Sequence, residues 1–473
     1  MFPFFQKTVK HILILESVSN KVNLICRRFV TSIFETIFES LEYMLNKIFK
    51  LEERNTNFKT EIIAGISTFF TLSFIIAVNP AILSDAGIDF AAGFVATIIA
   101  SALGCFMIGI WAGWPVAIAP GMGLNAYFAY VVVLGYGFSW QQALAAVFTS
   151  SVLFFLFSLS RARSWLILSI PKPLQAGITA GIGMFLAMIG LTSAGIIIEN
   201  PDTLIGIGDF TELPVLLSFL GLIVMAGLSY RGLMGAILLS IITISVIGWS
   251  IGIAEIEGVI SKPPLASATF SLDFSQIVSF SFLSVVFAMF FVDFFDTTGT
   301  LTAIAEPAKL RKTDGTIVNL DKAVLSDTSA SIFGSLLGTS NMTTYLESAA
   351  GLKAGGRTGL TSITVGILFL SCLFFEPLFA SIPSFATAPA LIFVAATFLS
   401  SLRNVNWDDV SETLPVLVII LVMPLTFSIA AGIAFGFFAF VGMKSLAGEF
   451  RELTPGVWVI STFGLIWLIL GIT

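Results

Sequence analysis

The chain of 473 residues is 56% hydrophobic and only 11% charged, far below the roughly 25% charged content of an ordinary soluble domain. It cannot cover itself with polar surface, which excludes a water-soluble globule and makes lipid its main solvent. The net charge of -6 says little about partners, because across a membrane the position of each charge matters more than the sum.

Residue types narrow the chemistry further. Cys26, Cys105 and Cys372 stand in separate segments without a CxxC pair, so neither a disulfide framework nor a thiolate metal site is indicated. His11 is the only histidine and precedes every apolar segment, so imidazole relays and histidine-ligated metals drop out. No metal or organic cofactor and no nucleic-acid partner is expected, and proton chemistry within the membrane falls to carboxylates.

Residues 1–58 form a basic opening without a membrane-length apolar run. Ile33, Phe34, Ile37, Phe38, Leu41, Met44, Leu45, Ile48 and Phe49 recur at helical spacing against Glu35, Glu39 and Glu42, which predicts an amphipathic helix lying at the membrane interface. Beyond Thr60, apolar segments are predicted near 61–83, 90–111, 115–136, 140–160, 173–194, 213–229, 232–252, 277–305, 319–337, 338–352, 359–379, 385–402, 413–430 and 431–446. These make about fourteen, and 457–472 is long enough to be another.

Cytoplasmic loops collect Lys and Arg. With the N-terminus inside, Arg161, Arg163, Lys172, Arg231, Lys309, Arg311, Lys312, Lys322, Lys353, Arg357 and Arg403 all fall inside, against Lys262 outside. The expected location is the cell (inner) membrane, multi-pass, with a cytoplasmic N-terminus. Glu212-Leu-Pro-Val-Leu and Thr413-Leu-Pro-Val-Leu each open an apolar run, about 200 residues apart, which suggests two repeats. Seven segments per repeat is an odd number, so the halves insert in opposite orientations.

Two segments read as interrupted helices. In Trp114-Pro-Val-Ala-Ile-Ala-Pro-Gly-Met-Gly-Leu-Asn125 the prolines and glycines oppose continuous helix and Val116 and Ile118 favour extended chain. Gly338-Thr-Ser-Asn-Met-Thr-Thr-Tyr-Leu-Glu347 is polar and threonine-rich at membrane depth. Each is third in its half, where a binding site between inverted repeats belongs.

Asp293 and Asp296 lie three residues apart in an apolar helix, hence on one face. An ionised carboxylate at the bilayer centre costs about 3 kcal/mol, so such residues line a cavity and act there. The same reasoning marks Glu347. Asp296 admits two readings, a helix cap holding Thr297 and Thr298 or a group beside the site. Asn125, Asn341 and Asn79 are either ligands or interhelical glue, glue being favoured for Asn79, and Asp327 is a candidate neighbour of the site.

These motifs resemble the adenine, guanine and hypoxanthine permeases, a branch of the nucleobase:cation symporter type 2 family. Thr60-Glu-Ile-Ile-Ala-Gly-Ile-Ser-Thr-Phe-Phe-Thr, Val78-Asn-Pro, Pro120-Gly-Met-Gly-Leu-Asn-Ala-Tyr-Phe, Phe295-Asp-Thr-Thr-Gly-Thr-Leu and Gly338-Thr-Ser-Asn-Met-Thr-Thr-Tyr-Leu-Glu-Ser-Ala carry the likeness, which runs from about Leu45 to the C-terminus. The resemblance implies an all-α polytopic membrane protein with about fourteen segments in two inverted seven-segment repeats, two interrupted half-helices, and core and gate domains. Residues 1–58 read from their composition as a cytoplasmic extension, and the resemblance implies core over 59–160 and 261–380 and gate over 161–260 and 381–473, with a homodimer formed through the gate. It also implies import of a purine base, coupled to a proton or to sodium. Asn125, Asp293, Glu347 and Tyr345 would contact substrate, and Asp293, Asp296 and Glu347 would serve proton coupling. Ser348 departs from the uracil and xanthine relatives, which commonly carry an amide there. The competing readings are another solute on the same fold (uracil, xanthine or an anion) or an intramembrane aspartyl hydrolase. The hydrolase needs its two acids on facing helices.

Overall fold

The computed structural model describes residues 44–160, 170–312 and 314–469, and the chain divides into two units, Met1–Lys59 and Thr60–Thr473. Within the first unit, residues 44–49 are helical, and most of the expected interfacial helix lies outside the described residues, as do Arg161 and Arg163.

The second unit is built from helices, apolar on most of their circumference, whose ends are set by local side chains. In chain order they are α1 (Phe58–Leu72), α2 (Ile75–Asp85), α3 (Phe90–Met107), α4 (Met122–Ala126), α5 (Trp140–Ser158), α6 (Lys172–Ser193), α7 (Leu213–Tyr230) and α8 (Ala236–Ser250). The second half continues with α9 (Phe280–Ala305), α10 (Leu320–Leu337), α11 (Ala349–Lys353), α12 (Gly359–Ser371), α13 (Glu376–Ala380), α14 (Ser384–Leu399), α15 (Val410–Leu425), α16 (Ile429–Leu446) and α17 (Pro455–Ile469). Asp89 caps α3 by accepting from Ala92 N at 3.0 Å, Ser139 and Gln142 form a reciprocal capping box on α5, and Ser279 accepts from Phe282 N to start α9. Gly338, with φ of 103°, ends α10 in the left-handed region that glycine tolerates.

The two copies of Leu-Pro-Val-Leu are used differently. Pro214 sits in the first turn of α7, where its missing N–H costs nothing, whereas Asp409 and Ser411 start α15 earlier and leave Pro415 inside the helix. Among the described residues nine helices are long and apolar enough to cross a membrane, and four shorter apolar ones include Ala236–Ser250 and Val410–Leu425. Helix length alone therefore does not reproduce the figure of fourteen. The segment near 457–472 does form a helix, α17, over its described part.

Two strands interrupt the helices. β1 (Ile118–Pro120) and β4 (Met342–Thr344) pair antiparallel, Ala119 opposite Thr343, and between them in sequence β2 (Ile197–Asn200) and β3 (Leu204–Ile207) make a separate hairpin. Extended backbone in a buried, apolar setting must find partners within the protein. Serines supply them: Val116 N donates to Ser362 Oγ at 2.8 Å, Ala117 N to Ser348 Oγ at 3.0 Å, and Met342 N to Ser331 Oγ at 2.9 Å. Both interrupted segments are therefore real interruptions, and they are tied to each other.

Helices α3, α5, α9, α10 and α12 pack around this strand crossing. A second group centres on α6, which lies against α14 and α15, with α7 against α8 and α14. Close approach in the second group depends on glycine. A Cβ on Gly183 would stand 2.7 Å from Phe398 Cβ, and one on Gly190 2.7 Å from Ile392.

Candidate functional site

The two interrupted segments meet side by side, and their polar residues face α9. Asn125, the fourth residue of α4, is fully buried and its Oδ1 accepts from the Ser340 hydroxyl, while its Nδ2 has no protein partner. Next along the chain, Asn341 Nδ2 donates to Asp293 Oδ2 at 3.1 Å and is 3.4 Å from Ser151 Oγ. Asp293 Oδ1 and Asn341 Oδ1 are also without a partner. A buried polar atom left open is costly, and three of them within one network can each take a further hydrogen bond.

Asp293 is 1% exposed, whereas Asp296, one turn on, is only half-buried and lines a cavity of about 740 Å3. The cavity lies between the two helix groups. Its core-side wall is Phe295, Asp296, Gly299, Thr302 and Leu346, and its opposite wall comes from Lys172, Gln175 and Thr179 of α6 with Phe398 and Ser401 beyond. Glu347 is half-buried beside Leu346, and its carboxyl and that of Asp296 are near enough to act on each other electrostatically. Asp327 on α10 accepts from Thr297 Oγ1 at 2.5 Å and interacts with Asp293, completing a group of four carboxyls.

Tyr345 is tied at its hydroxyl and its backbone. Its hydroxyl donates to Pro120 O and its N–H to Ala117 O at 3.0 Å, so it joins the second interrupted segment to the first. Asn79 donates to Thr97 Oγ1 at 2.7 Å and to Thr339 Oγ1 at 3.0 Å, which is the role of interhelical glue. Of the two readings open for Asn341, ligand or glue, its bond to Asp293 of α9 is of the second kind. In sequence Lys172 reads only as a cytoplasmic-side charge, and Gln175 and Phe398 carry no site signal. They belong to helices that reach the cavity only through tertiary packing.

Residues 59–435 match the permease family. The chain belongs to that family. The permease is 41% identical to the adenine permease AdeP of Escherichia coli (strain K12) over 419 residues, covering 88% of this chain and 94% of the relative. It is 40% identical over 430 residues to the guanine/hypoxanthine permease PbuO of Bacillus subtilis (strain 168), covering 89% and 99%. Among solved structures, the transmembrane domain of a cyanobacterium bicarbonate transporter BicA superposes with a TM-score of 0.61 at 14% identity, over 79% of this chain and 96% of that one. That likeness bears on fold alone and supports the core and gate arrangement: α3, α5, α9, α10 and α12 on one side of the cavity, the α6 group on the other. The permease is an integral, multi-pass membrane protein, and its relatives are named as permeases rather than enzymes. The names of those relatives do not favour the hydrolase reading.

Proposed function

We propose that this permease imports purine nucleobases (hypoxanthine, guanine and adenine) by proton symport, with alternating access between core and gate. The observation that carries the reading is the carboxylate-bearing cavity between two helix groups, set against strands that cross at the ends of half-helices. A purine presents a flat face and alternating N–H, ring nitrogen and carbonyl groups. Asp296 on the cavity wall accepts one N–H donor and the half-buried Glu347, next to the cavity-lining Leu346, a second, while the buried Asn125 Nδ2 can donate to a carbonyl or ring nitrogen and Asp293 Oδ1 and Asn341 Oδ1 stay open as acceptors. Phe295 and Phe398 supply apolar faces on opposite walls. The names of relatives at about 40% identity, adenine and guanine/hypoxanthine permeases, favour purines over uracil, xanthine or an anion.

Proton coupling follows from the charge arrangement. Among the described residues no Lys or Arg forms an ion pair with Asp293, Asp296, Asp327 or Glu347, so moving the core past the gate carries uncompensated charge unless a proton is taken up. Asp293, Asp296 and Glu347 are the groups we assign to that uptake, with a proton rather than sodium as coupling ion. We assign core to 59–160 and 261–380, gate to 161–260 and 381–473, an N-terminus on the cytoplasmic side of the inner membrane, and a homodimer formed through the gate.

The test is uptake of radiolabelled hypoxanthine, guanine and adenine by cells and by vesicles with an imposed pH gradient, for wild type, Asp293→Asn, Asp296→Asn and Glu347→Gln. Losing one charge-assisted hydrogen bond, worth about 1.5–3 kcal/mol, raises KM by roughly ten- to a hundredfold. Wild-type KM in all three variants, or uptake indifferent to the pH gradient, removes the site or the coupling respectively.

A further inference from the structure

Gly299 stands inside the 26-residue helix α9, six residues before its C-terminal end. Glycine weakens a helix interior relative to alanine, so its presence there needs a reason. Packing is the usual one in this chain: a Cβ on Gly104 would lie 2.7 Å from Ile118, one on Gly109 2.6 Å from Gly359 O, and one on Gly366 2.5 Å from Phe106. A turn with positive φ is the other. Neither applies to Gly299, whose φ is not positive and whose added Cβ would meet nothing within 4 Å.

Among the described residues, only Gly227 and Gly442 share that combination inside long helices, and neither lines the cavity. Gly299 does. It lies three residues after Asp296 and three before Thr302, on the same helical face, and all three line the cavity with Gln175, Thr179 and Phe398 on the far wall. The space a side chain would take is therefore cavity space.

We propose that Gly299 keeps the solute path open and sets the width of the solute the permease passes. The proposal rests on reading the cavity as part of that path. A residue with no side chain leaves room for a flat bicyclic ring to slide along α9 past Asp296. A Cβ at 299 displaces no neighbour, and the atoms of a longer side chain beyond it would take up cavity space and narrow the passage.

The experiment compares wild type with Gly299→Ala, Gly299→Leu and Gly299→Cys for uptake of labelled hypoxanthine and adenine, normalised to membrane abundance. Expected is uptake within about threefold of wild type for alanine and a fall of at least about tenfold for leucine. The cysteine variant is expected to react with a small water-soluble thiol reagent beyond the background of Cys26, Cys105 and Cys372 in wild type, and to lose uptake when labelled. If the leucine variant does not reach the membrane, the cysteine variant before and after labelling makes the same comparison within one protein. A leucine variant that transports at the wild-type rate, or a labelled cysteine variant with undiminished uptake, overturns the proposal. So does a cysteine variant that transports but is labelled no more than wild type. A wild-type protein that carries no purine, yet is labelled at Gly299→Cys, sinks the purine reading while leaving the cavity position intact.

Discussion

Asn341→Asp tests whether the link between the second interrupted segment and α9 is what holds Asp293 in place. In the native chain Asn341 Nδ2 and Asp293 Oδ2 are 3.1 Å apart in a site with almost no solvent contact. Two unit charges at that distance repel by about 5 kcal/mol at an effective dielectric constant near 20. Asn341→Asp should therefore lower stability in detergent or force one acid to hold a proton, so that the loss deepens as pH rises. Asp293→Asn alone keeps a carbonyl oxygen for Asn341 to donate to and costs less. The double variant Asp293→Asn with Asn341→Asp reverses donor and acceptor and relieves the repulsion. Thermal unfolding followed by fluorescence-detected size exclusion gives the four corners of the cycle, and the double variant should recover at least about 1.4 kcal/mol relative to the sum of the singles. Uptake separates structure from binding: recovery of stability without recovery of transport places the needed charge on α9. Strictly additive effects on stability would show that the contact does not couple the two elements.

Two further outcomes follow from the same network. Tyr345→Phe removes the hydroxyl that binds Pro120 O and should cost about 1 kcal/mol in thermal stability while leaving the aromatic ring for any face contact with substrate; an unchanged unfolding curve would remove the hydroxyl from the account. Glu61→Ala strips the buried acceptor of Arg357 N at 2.8 Å, Thr358 N at 3.2 Å and Thr361 Oγ1 at 2.6 Å, so α12 should lose about 3 kcal/mol or more, with Glu61→Gln intermediate, read from unfolding temperature and membrane abundance.

The interruptions are legible in the sequence, because Pro115, Pro120 and the glycines after them oppose one continuous helix and a Thr-rich polar run does not suit a lipid-facing one. Helical spacing also placed Asp293 and Asp296 on one face. What spacing could not show is that the first is sealed against Asn341 while the second opens on the cavity, since burial is decided by neighbours that arrive from α10 and β4. For Tyr345 the resemblance implies a substrate contact, and only the approach of Pro120 across the strand pair turns its hydroxyl into a tie. The gate wall was the least legible. Lys172 reads as a topology charge and Phe398 as one of 47 phenylalanines, and nothing local says that they face Asp296.

The pairing of β1 with β4 also bears on how such a chain could have arisen. Each strand is three residues long and comes from a different half, and Gly121 N reaches Asn341 O while Tyr345 N reaches Ala117 O. A single half, standing alone in lipid, would expose an unpaired strand edge with no water to satisfy it. An ancestral half-length chain would thus have been insoluble in its own membrane until it met a second copy inserted the other way up. With both halves in one chain, each strand has its partner covalently at hand whenever the protein folds.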